Sequence, residues 1–128
     1  MLGANDFKTV SDRSVEDAVS GLGELITIIQ TSTYGPDMRS SPRTLLIGYP
    51  FLSTENGIFA DIFKGADEKS RNFPALCADL AEKHGYAYLD MSPHIEMGED
   101  GLHFDRAAHP KFAQLVTEKI ALEELKNE

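Results

Sequence analysis

The sequence has 128 residues, enough for one domain, and its 41% hydrophobic and 26% charged residues are typical of a soluble globular protein. A net charge of −9 argues against nucleic acid as a partner, because phosphate binding needs clustered lysines and arginines. The single cysteine, Cys77, excludes an internal disulfide and fits a reducing compartment. Apolar runs such as 25–29 are far too short to cross a membrane. We therefore predict a cytoplasmic protein without a membrane partner. The alternative is that a targeting signal precedes Met1.

The first predicted element is a helix, because apolar residues recur at helical spacing over residues 15–29. Ser14 and Asp17 offer a capping box at its start, and Gly35-Pro36 is expected to stop it. Gly21 and Gly23 lie inside this helix. Since a glycine there is unfavourable by about 1 kcal/mol relative to alanine, we expect close packing at these positions.

Apolar runs at residues 44–48 and 86–90 predict two strands, and Met1-Leu2 reads as the end of an earlier one. A helix is predicted between the two runs up to His84, with Pro74 either opening or kinking it. A last helix is predicted over 107–126. It is expected to bury Phe112, Leu115, Val116 and Ile120. Alternating helices and strands indicate a parallel α/β sheet, which binds ligands at the carboxyl ends of its strands.

Asp100 and His103 lie between the last predicted strand and the last helix. A carboxylate three residues before a histidine on a turn can accept the Nδ1–H of that histidine. The other ring nitrogen, Nε2, is then available as a general base toward a hydroxyl. For this pair alone, an ordinary surface turn remains the alternative.

Asn5 follows Gly3-Ala4 at the expected end of a buried strand. A side-chain amide at such a position can donate a hydrogen bond to a developing oxyanion. The alternative for Asn5-Asp6 is an Asx-type turn that opens the next segment.

Taken together, these two blocks resemble the SGNH (GDSL-type) hydrolase family. Residues 2–8, Leu-Gly-Ala-Asn-Asp-Phe-Lys, look like the third block of that family, and residues 100–104, Asp-Gly-Leu-His-Phe, look like its fifth. The likeness is greatest to bacterial arylesterase and acyltransferase-like members. The order of helices and strands between the blocks agrees as well, so that residues 1–128 read as the C-terminal part of a single SGNH hydrolase domain.

The resemblance implies a flavodoxin-like three-layer α/β/α sandwich with a parallel sheet in the order 2-1-3-4-5. It also implies a serine esterase with a Ser-His-Asp triad and no metal or cofactor. In this sequence His103 would be the base, Asp100 the residue that orients it, and Asn5 an oxyanion donor. The substrate would be a small-molecule ester, while the residues that select it stay unknown.

The nucleophilic serine that the resemblance implies is missing, because the sequence contains no Gly-Asp-Ser motif. Ser92 is nearest to the site by position, but its setting after the last strand does not fit. We therefore expect the first two strand-helix units to be absent, and a companion N-terminal fragment or a homo-oligomer to complete the protein. A non-catalytic fragment or binding module is the alternative.

Three other features have simpler explanations. The four histidines and nearby aspartates match no compact zinc spacing, so no metal is predicted. Cys77 is expected to be inert core. Ile58, Phe59, Ile62 and Phe63 form an apolar stripe. The stripe is expected to be a short helix packed on the body, with an acyl-pocket wall or subunit contact as the alternative.

Overall fold

The computed structural model describes residues 2–125 as five main elements. They are α1 (Val15–Gln30), β1 (Leu45–Gly48), α2 (Ala66–His84), β2 (Ala87–Asp90) and α3 (His109–Leu125). Short 3-10 helices cover Ala4–Phe7, Thr9–Ser11 and Arg106–Ala108. The predicted alternation of helices and strands is confirmed. No helix among these residues combines the length and apolarity that a membrane span needs.

The two strands pair in parallel, with Leu45 opposite Ala87 and Leu46 opposite Tyr88. The Tyr88 hydroxyl donates to the carbonyl of Pro74 in α2 at 3.0 Å, so the pair of Leu46 and Tyr88 lies on the face toward α2. Leu45 and Ala87 share a cavity with Ile120 of α3. Because successive side chains of a strand point to opposite faces, α2 and α3 cover opposite faces of the sheet. The predicted α/β/α layering with a parallel sheet is therefore confirmed.

Helix α1 begins with the predicted capping box. The Ser14 hydroxyl accepts the Asp17 N–H at 3.0 Å, and the Asp17 carboxylate accepts the Ser14 N–H at 3.0 Å. The helix packs against α2, where a Cβ added to Gly23 would lie 3.3 Å from Leu80. Close packing is thus found at Gly23 but not at Gly21, where an added Cβ would meet nothing within 4 Å.

The predicted end of α1 at Gly35 was wrong, since the helix ends at Gln30. Hydroxyl groups satisfy its last carbonyls: Thr31 Oγ1 donates to the Thr27 carbonyl at 2.9 Å, and Ser32 Oγ to the Ile29 carbonyl at 2.7 Å. These bonds add to those of the Thr31 and Ser32 backbone N–H groups, which donate to the same two carbonyls at 3.0 and 3.1 Å and close the last turn. Residues 31–44 consequently form an irregular connection to β1.

The core lies between α1, α2 and the sheet. Phe7 and Phe73 meet edge to face with ring centroids 5.4 Å apart, and both are 1% exposed. Cys77 is buried beside them, as predicted. Burial and the nearby Asp90 charge raise the pKa of the Cys77 thiol to about 12, so that the thiol stays protonated at neutral pH.

Other details of the predicted elements are corrected by the structure. Pro74 lies inside α2, which excludes the first of its two predicted roles, that of opening the helix. Leu2 is not part of a strand, and Met1 lies outside the described residues, as does Lys126 at the predicted end of the last helix. The predicted burial of four side chains on the last helix was wrong: Ile120 is 48% exposed, and the other three, Phe112, Leu115 and Val116, are only half-buried. Helix α3 contacts mainly β2 and the 3-10 turn before the helix. This surface is too narrow to cover all of the apolar side chains of α3.

Several large apolar side chains remain on the surface of the described residues. On α1, Leu25 is 46% and Ile28 65% exposed, and on α3, Leu122 is 57% exposed. Each strand of the two-stranded sheet also has one edge without a neighbouring strand within residues 2–125. Unpaired edges flanked by apolar surface favour association.

We therefore expect the chain by itself to associate, and light scattering after size-exclusion chromatography should give a mass above 14.1 kDa. Ile28→Lys should shift the distribution toward smaller species. Val10→Lys is the matched control, because Val10 is 88% exposed on a separate turn. A monodisperse 14.1 kDa wild-type species with cooperative unfolding would contradict this expectation.

Candidate active site

The loop between β2 and α3 is organised by the carboxylate of Asp100. Its Oδ1 accepts the backbone N–H of Leu102 at 2.9 Å and that of His103 at 2.8 Å. Its Oδ2 lies 2.7 Å from His103 Nδ1. Because an ionised carboxylate can only accept, Nδ1 carries the proton, and Nε2 of the neutral ring is left with a free lone pair. The hydrogen bond predicted between Asp100 and His103 is present.

The same hydrogen bonds act on the acidity of Asp100. They lower its pKa from the ordinary 3.8 to about 2, with the backbone N–H of His103 as the largest cause, followed by the His103 side chain and the Leu102 N–H. Each of these donors stabilises the charged form. Asp100 is therefore ionised at neutral pH and available to orient the imidazole.

Gly101 allows this loop to approach the segment that follows β1. Its φ is +70°, and a Cβ at this position would overlap the carbonyl of Ser53. The Ser53 N–H also donates to the Gly101 carbonyl at 2.9 Å. A residue with a side chain would be disfavoured here by the left-handed backbone and by the contact with Ser53.

The segment after β1 is in turn fixed to the start of α2. Asp67 is 8% exposed and accepts the Thr54 N–H and the Thr54 hydroxyl, both at 2.8 Å. The Ser70 hydroxyl accepts the Leu52 N–H at 2.9 Å. These buried bonds hold residues 52–54 rigidly, and through Ser53 they hold the loop of Asp100 and His103.

Tyr49 is a site residue that the sequence did not reveal. It directly follows β1 and is half-buried, and its hydroxyl donates to the Leu102 carbonyl at 2.9 Å. Burial, followed by the Asp100 charge, raises the pKa of this phenol. The only signal was its place at the carboxyl end of a predicted strand, where site residues of parallel sheets gather.

Asn5 lies on the 3-10 helix Ala4–Phe7. The turn into this helix requires Gly3, whose φ is +118° and whose added Cβ would lie only 2.5 Å from the Phe73 ring. Asn5 itself is exposed. Its side-chain amide has no hydrogen-bond partner within residues 2–125, so it is free to donate to a ligand.

One cavity of about 390 Å³ brings Asn5 and His103 together. Tyr49 forms part of its wall, and α1 contributes half of the apolar lining residues. Arg13 and Asp6 also line it and form an ion pair at 3.5 Å. Asp100 is not among the lining residues and lies behind His103. The structure therefore collects the residues predicted from the sequence at one place, while their catalytic roles stay predictions.

The remaining candidates do not add a nucleophile. The Ser92 hydroxyl donates to Asp90 at 2.9 Å and borders a different cavity. In the part of the chain that the structure describes, no serine hydroxyl is hydrogen-bonded to His103. The same residues contain no group of three or more His, Cys, Asp or Glu side chains suited to hold a metal ion.

The apolar stripe forms consecutive turns instead of the predicted short helix. Phe63 is 2% exposed and belongs to the core, whereas Ile58 is 82% exposed. Phe59 lies between these extremes and meets the His103 ring edge to face, with centroids 6.1 Å apart. One member of the stripe thus supports the ring of His103.

Comparisons with known proteins point to one group of enzymes. No family model and no curated protein matches the sequence. Among solved structures, Est24, a carbohydrate acetylesterase from Sinorhizobium meliloti, is 25% identical with a TM-score of 0.86, over 95% of this chain and 58% of its own. The native aryl esterase of M. smegmatis is 25% identical with a TM-score of 0.84, and the match covers 94% of this chain and 58% of the esterase chain.

The inhibitor-bound form of the M. smegmatis aryl esterase is 27% identical with a TM-score of 0.82, and the match covers 98% of this chain and 59% of the esterase chain. The chain thus spans about 58% of the length of the first two structures. The α/β/α fold with a parallel sheet that the resemblance implies is confirmed, and the chain is similar in fold to a carbohydrate acetylesterase and an aryl esterase of known structure.

The tight approach at Gly101 generates a paired prediction. Gly101→Ala should lower the free energy of unfolding clearly more than Gly85→Ala. Both glycines have a φ of +70°, but an added Cβ at Gly85 would meet nothing within 4 Å. The Gly85 variant therefore reports only the backbone cost, about 1 kcal/mol, and the difference reports the contact with Ser53. Urea denaturation measures both, and equal losses would contradict the described contact.

The hydrogen bonds of Asp100 predict a pH dependence. Because its folded pKa of about 2 lies below the ordinary 3.8, the stabilisation is fully present above about pH 4. It is lost as the pH falls through the folded pKa. Carboxyl-carbon NMR should give Asp100 a midpoint near 2. In His103→Ala the midpoint should rise but stay below 3.8, since the backbone donors remain. A wild-type midpoint near 4 would contradict the site geometry.

Proposed function

We propose that this chain provides the general base and one oxyanion donor of a serine ester hydrolase. The observation that carries the proposal is the 2.7 Å contact between Asp100 Oδ2 and His103 Nδ1, on a ring that borders the same cavity as Asn5. This arrangement leaves Nε2 as the basic atom and orients it from behind, as a serine hydrolase requires.

In this proposal the ester is cleaved in two steps. A serine Oγ attacks the ester carbonyl while its proton passes to His103 Nε2, and the Asn5 amide donates to the oxyanion of the tetrahedral intermediate. His103 then protonates the leaving alcohol, and an acyl-serine remains. In the second step His103 Nε2 removes a proton from water while the water oxygen attacks the acyl carbonyl. The bond from the acyl carbon to serine Oγ then breaks, His103 returns the proton to Oγ, and the carboxylic acid leaves, which restores both residues.

The nucleophile in this proposal comes from a second segment that carries the Gly-Asp-Ser motif, here called the serine segment. Two observations support it: the sequence has no such motif, and the esterases of similar fold are longer than the matched region. Whether the serine segment is a companion polypeptide or part of a longer chain does not change the chemistry.

For the substrate we propose short-chain esters of aryl or sugar alcohols. The two structural relatives are named as a carbohydrate acetylesterase and an aryl esterase. The cavity agrees with a small ester, because about 390 Å³ holds a group of that size and combines an apolar wall from α1 with the Asn5 amide. No cofactor or metal takes part in the proposed reaction.

A second candidate function is a non-catalytic binding module. It is favoured by one observation, that within the described residues no serine hydroxyl meets His103. The two candidates differ in what happens when the serine segment is supplied, because only an esterase gains turnover.

The test is a chimera in which the part of the M. smegmatis aryl esterase that this chain does not match is fused before Met1. We expect p-nitrophenyl acetate hydrolysis by this chimera. His103→Ala should remove almost all turnover because the base is lost, and Asn5→Ala should lower kcat by about 10²–10³ because one oxyanion donor is lost.

His94→Ala is the matched control, since His94 is exposed and borders a different cavity. It should leave turnover unchanged. A folded chimera that is inactive, or one in which His103→Ala retains full activity, would favour the binding module over the esterase.

A further inference from the structure

We propose that Tyr49 is a positioning residue for His103 and that it acts through the hydrogen bond from its hydroxyl to the Leu102 carbonyl. Its consequence for catalysis rests on the esterase function proposed above, whereas its effect on the loop does not. That bond acts on the one peptide group that joins Leu102 to His103.

This peptide group is held on both of its polar sides. Its carbonyl oxygen accepts from the Tyr49 hydroxyl at 2.9 Å, and its N–H donates to Asp100 Oδ1 at 2.8 Å. With both ends bonded, the peptide plane cannot turn, and the direction in which the Cα–Cβ bond of His103 leaves the backbone is set. The imidazole, 2.7 Å from the same carboxylate, then has one orientation.

Few other contacts could replace Tyr49. Within residues 2–125, only two hydrogen bonds tie the stretch from residue 99 to residue 103 to parts of the chain before β2. One is the Ser53 N–H to the Gly101 carbonyl at 2.9 Å, and the other is that of Tyr49. The first holds the turn at Gly101, while the second acts on the peptide bond of His103 itself.

The exposure of His103 makes such an anchor necessary. Its side chain is 68% exposed, so packing contributes little to its orientation. From another segment of the chain, Phe59 meets the ring edge to face with centroids 6.1 Å apart. An exposed side chain on a loop keeps a productive geometry only if its backbone is fixed, and a misplacement of about 1 Å can lower a rate by about 10².

Another tyrosine provides a matched comparison. The Tyr88 hydroxyl donates to a backbone carbonyl, that of Pro74, at 3.0 Å, and both tyrosines are half-buried. The two hydrogen bonds are alike in kind and length, but the Tyr88 bond joins β2 to α2 and touches nothing in the loop of His103. A difference between Tyr49→Phe and Tyr88→Phe therefore reflects the place of the lost hydrogen bond in the structure, and not the loss of a tyrosine hydroxyl in general.

The experiment measures amide hydrogen exchange by mass spectrometry on the full 128-residue chain and on its Tyr49→Phe and Tyr88→Phe variants. In Tyr49→Phe, the amides of Leu102 and His103 should exchange about five- to tenfold faster, since one hydrogen bond shifts a local opening equilibrium by roughly that factor. Exchange in α1 and α2 should not change. Tyr88→Phe should leave the two loop amides at the wild-type rate.

The same variants in the chimera with the serine segment test the catalytic consequence. Tyr49→Phe should lower kcat about tenfold and leave KM within about twofold, because the substrate still binds while the base is misplaced. Tyr88→Phe should alter neither. If the wild-type chimera has no esterase activity, the proposed function fails, but the exchange measurement still decides whether Tyr49 positions the loop.

Three results would overturn the proposal. Unchanged exchange of the loop amides in Tyr49→Phe would show that the hydroxyl holds nothing in place. Faster exchange throughout the chain, or a variant that fails to fold, would show that Tyr49 supports the whole structure and not His103 in particular.

Discussion

Three hydrogen bonds to the carboxylate of Asp100 determine the geometry of the candidate site. They come from the backbone N–H of Leu102, the backbone N–H of His103 and the imidazole of His103, all within 2.9 Å. One charged group thereby fixes the turn, the protonated ring nitrogen and the direction of the free one. Because hydrogen bonds to a charged acceptor are stronger than those between neutral groups, even this exposed loop can hold a defined conformation.

The rest of the fold brings this turn to the other parts of the site. The parallel pairing of β1 and β2 places the segments after both strands at one edge of the sheet. Asp67 in α2 fixes the segment after β1, and Ser53 of that segment meets Gly101. The packing of Phe7 on Phe73 holds the turn of Asn5 against α2, so that its amide borders the cavity of His103. The strand pairing, the Asp67 hydrogen bonds and the Phe7–Phe73 contact thus each position one part of the candidate site.

What could be predicted from the sequence follows from how local each feature is. Asp100 and His103 are three residues apart, so their contact follows from a single turn, and the capping box of Ser14 and Asp17 is local in the same way. Asn5 was proposed from its place after an expected strand end, and only the resemblance to a family motif favoured an oxyanion donor over an Asx-type turn. The bond from Tyr49 to Leu102 joins segments 53 residues apart, and no periodicity or spacing encodes such a contact. The exposure of Ile120 was missed because helical spacing shows a stripe but not the width of the surface that covers it.

Asn5 and His103 are proposed to act on the same serine-bound intermediate, and one crystal structure would test this. The chimera with the serine segment would be inactivated by a p-nitrophenyl phosphonate, which leaves a phosphonyl group on the serine as a mimic of the tetrahedral intermediate. We expect the serine Oγ to lie within about 3.2 Å of His103 Nε2 and a phosphonyl oxygen to lie within about 3.1 Å of Asn5 Nδ2. A phosphonyl group bound away from both residues would contradict it.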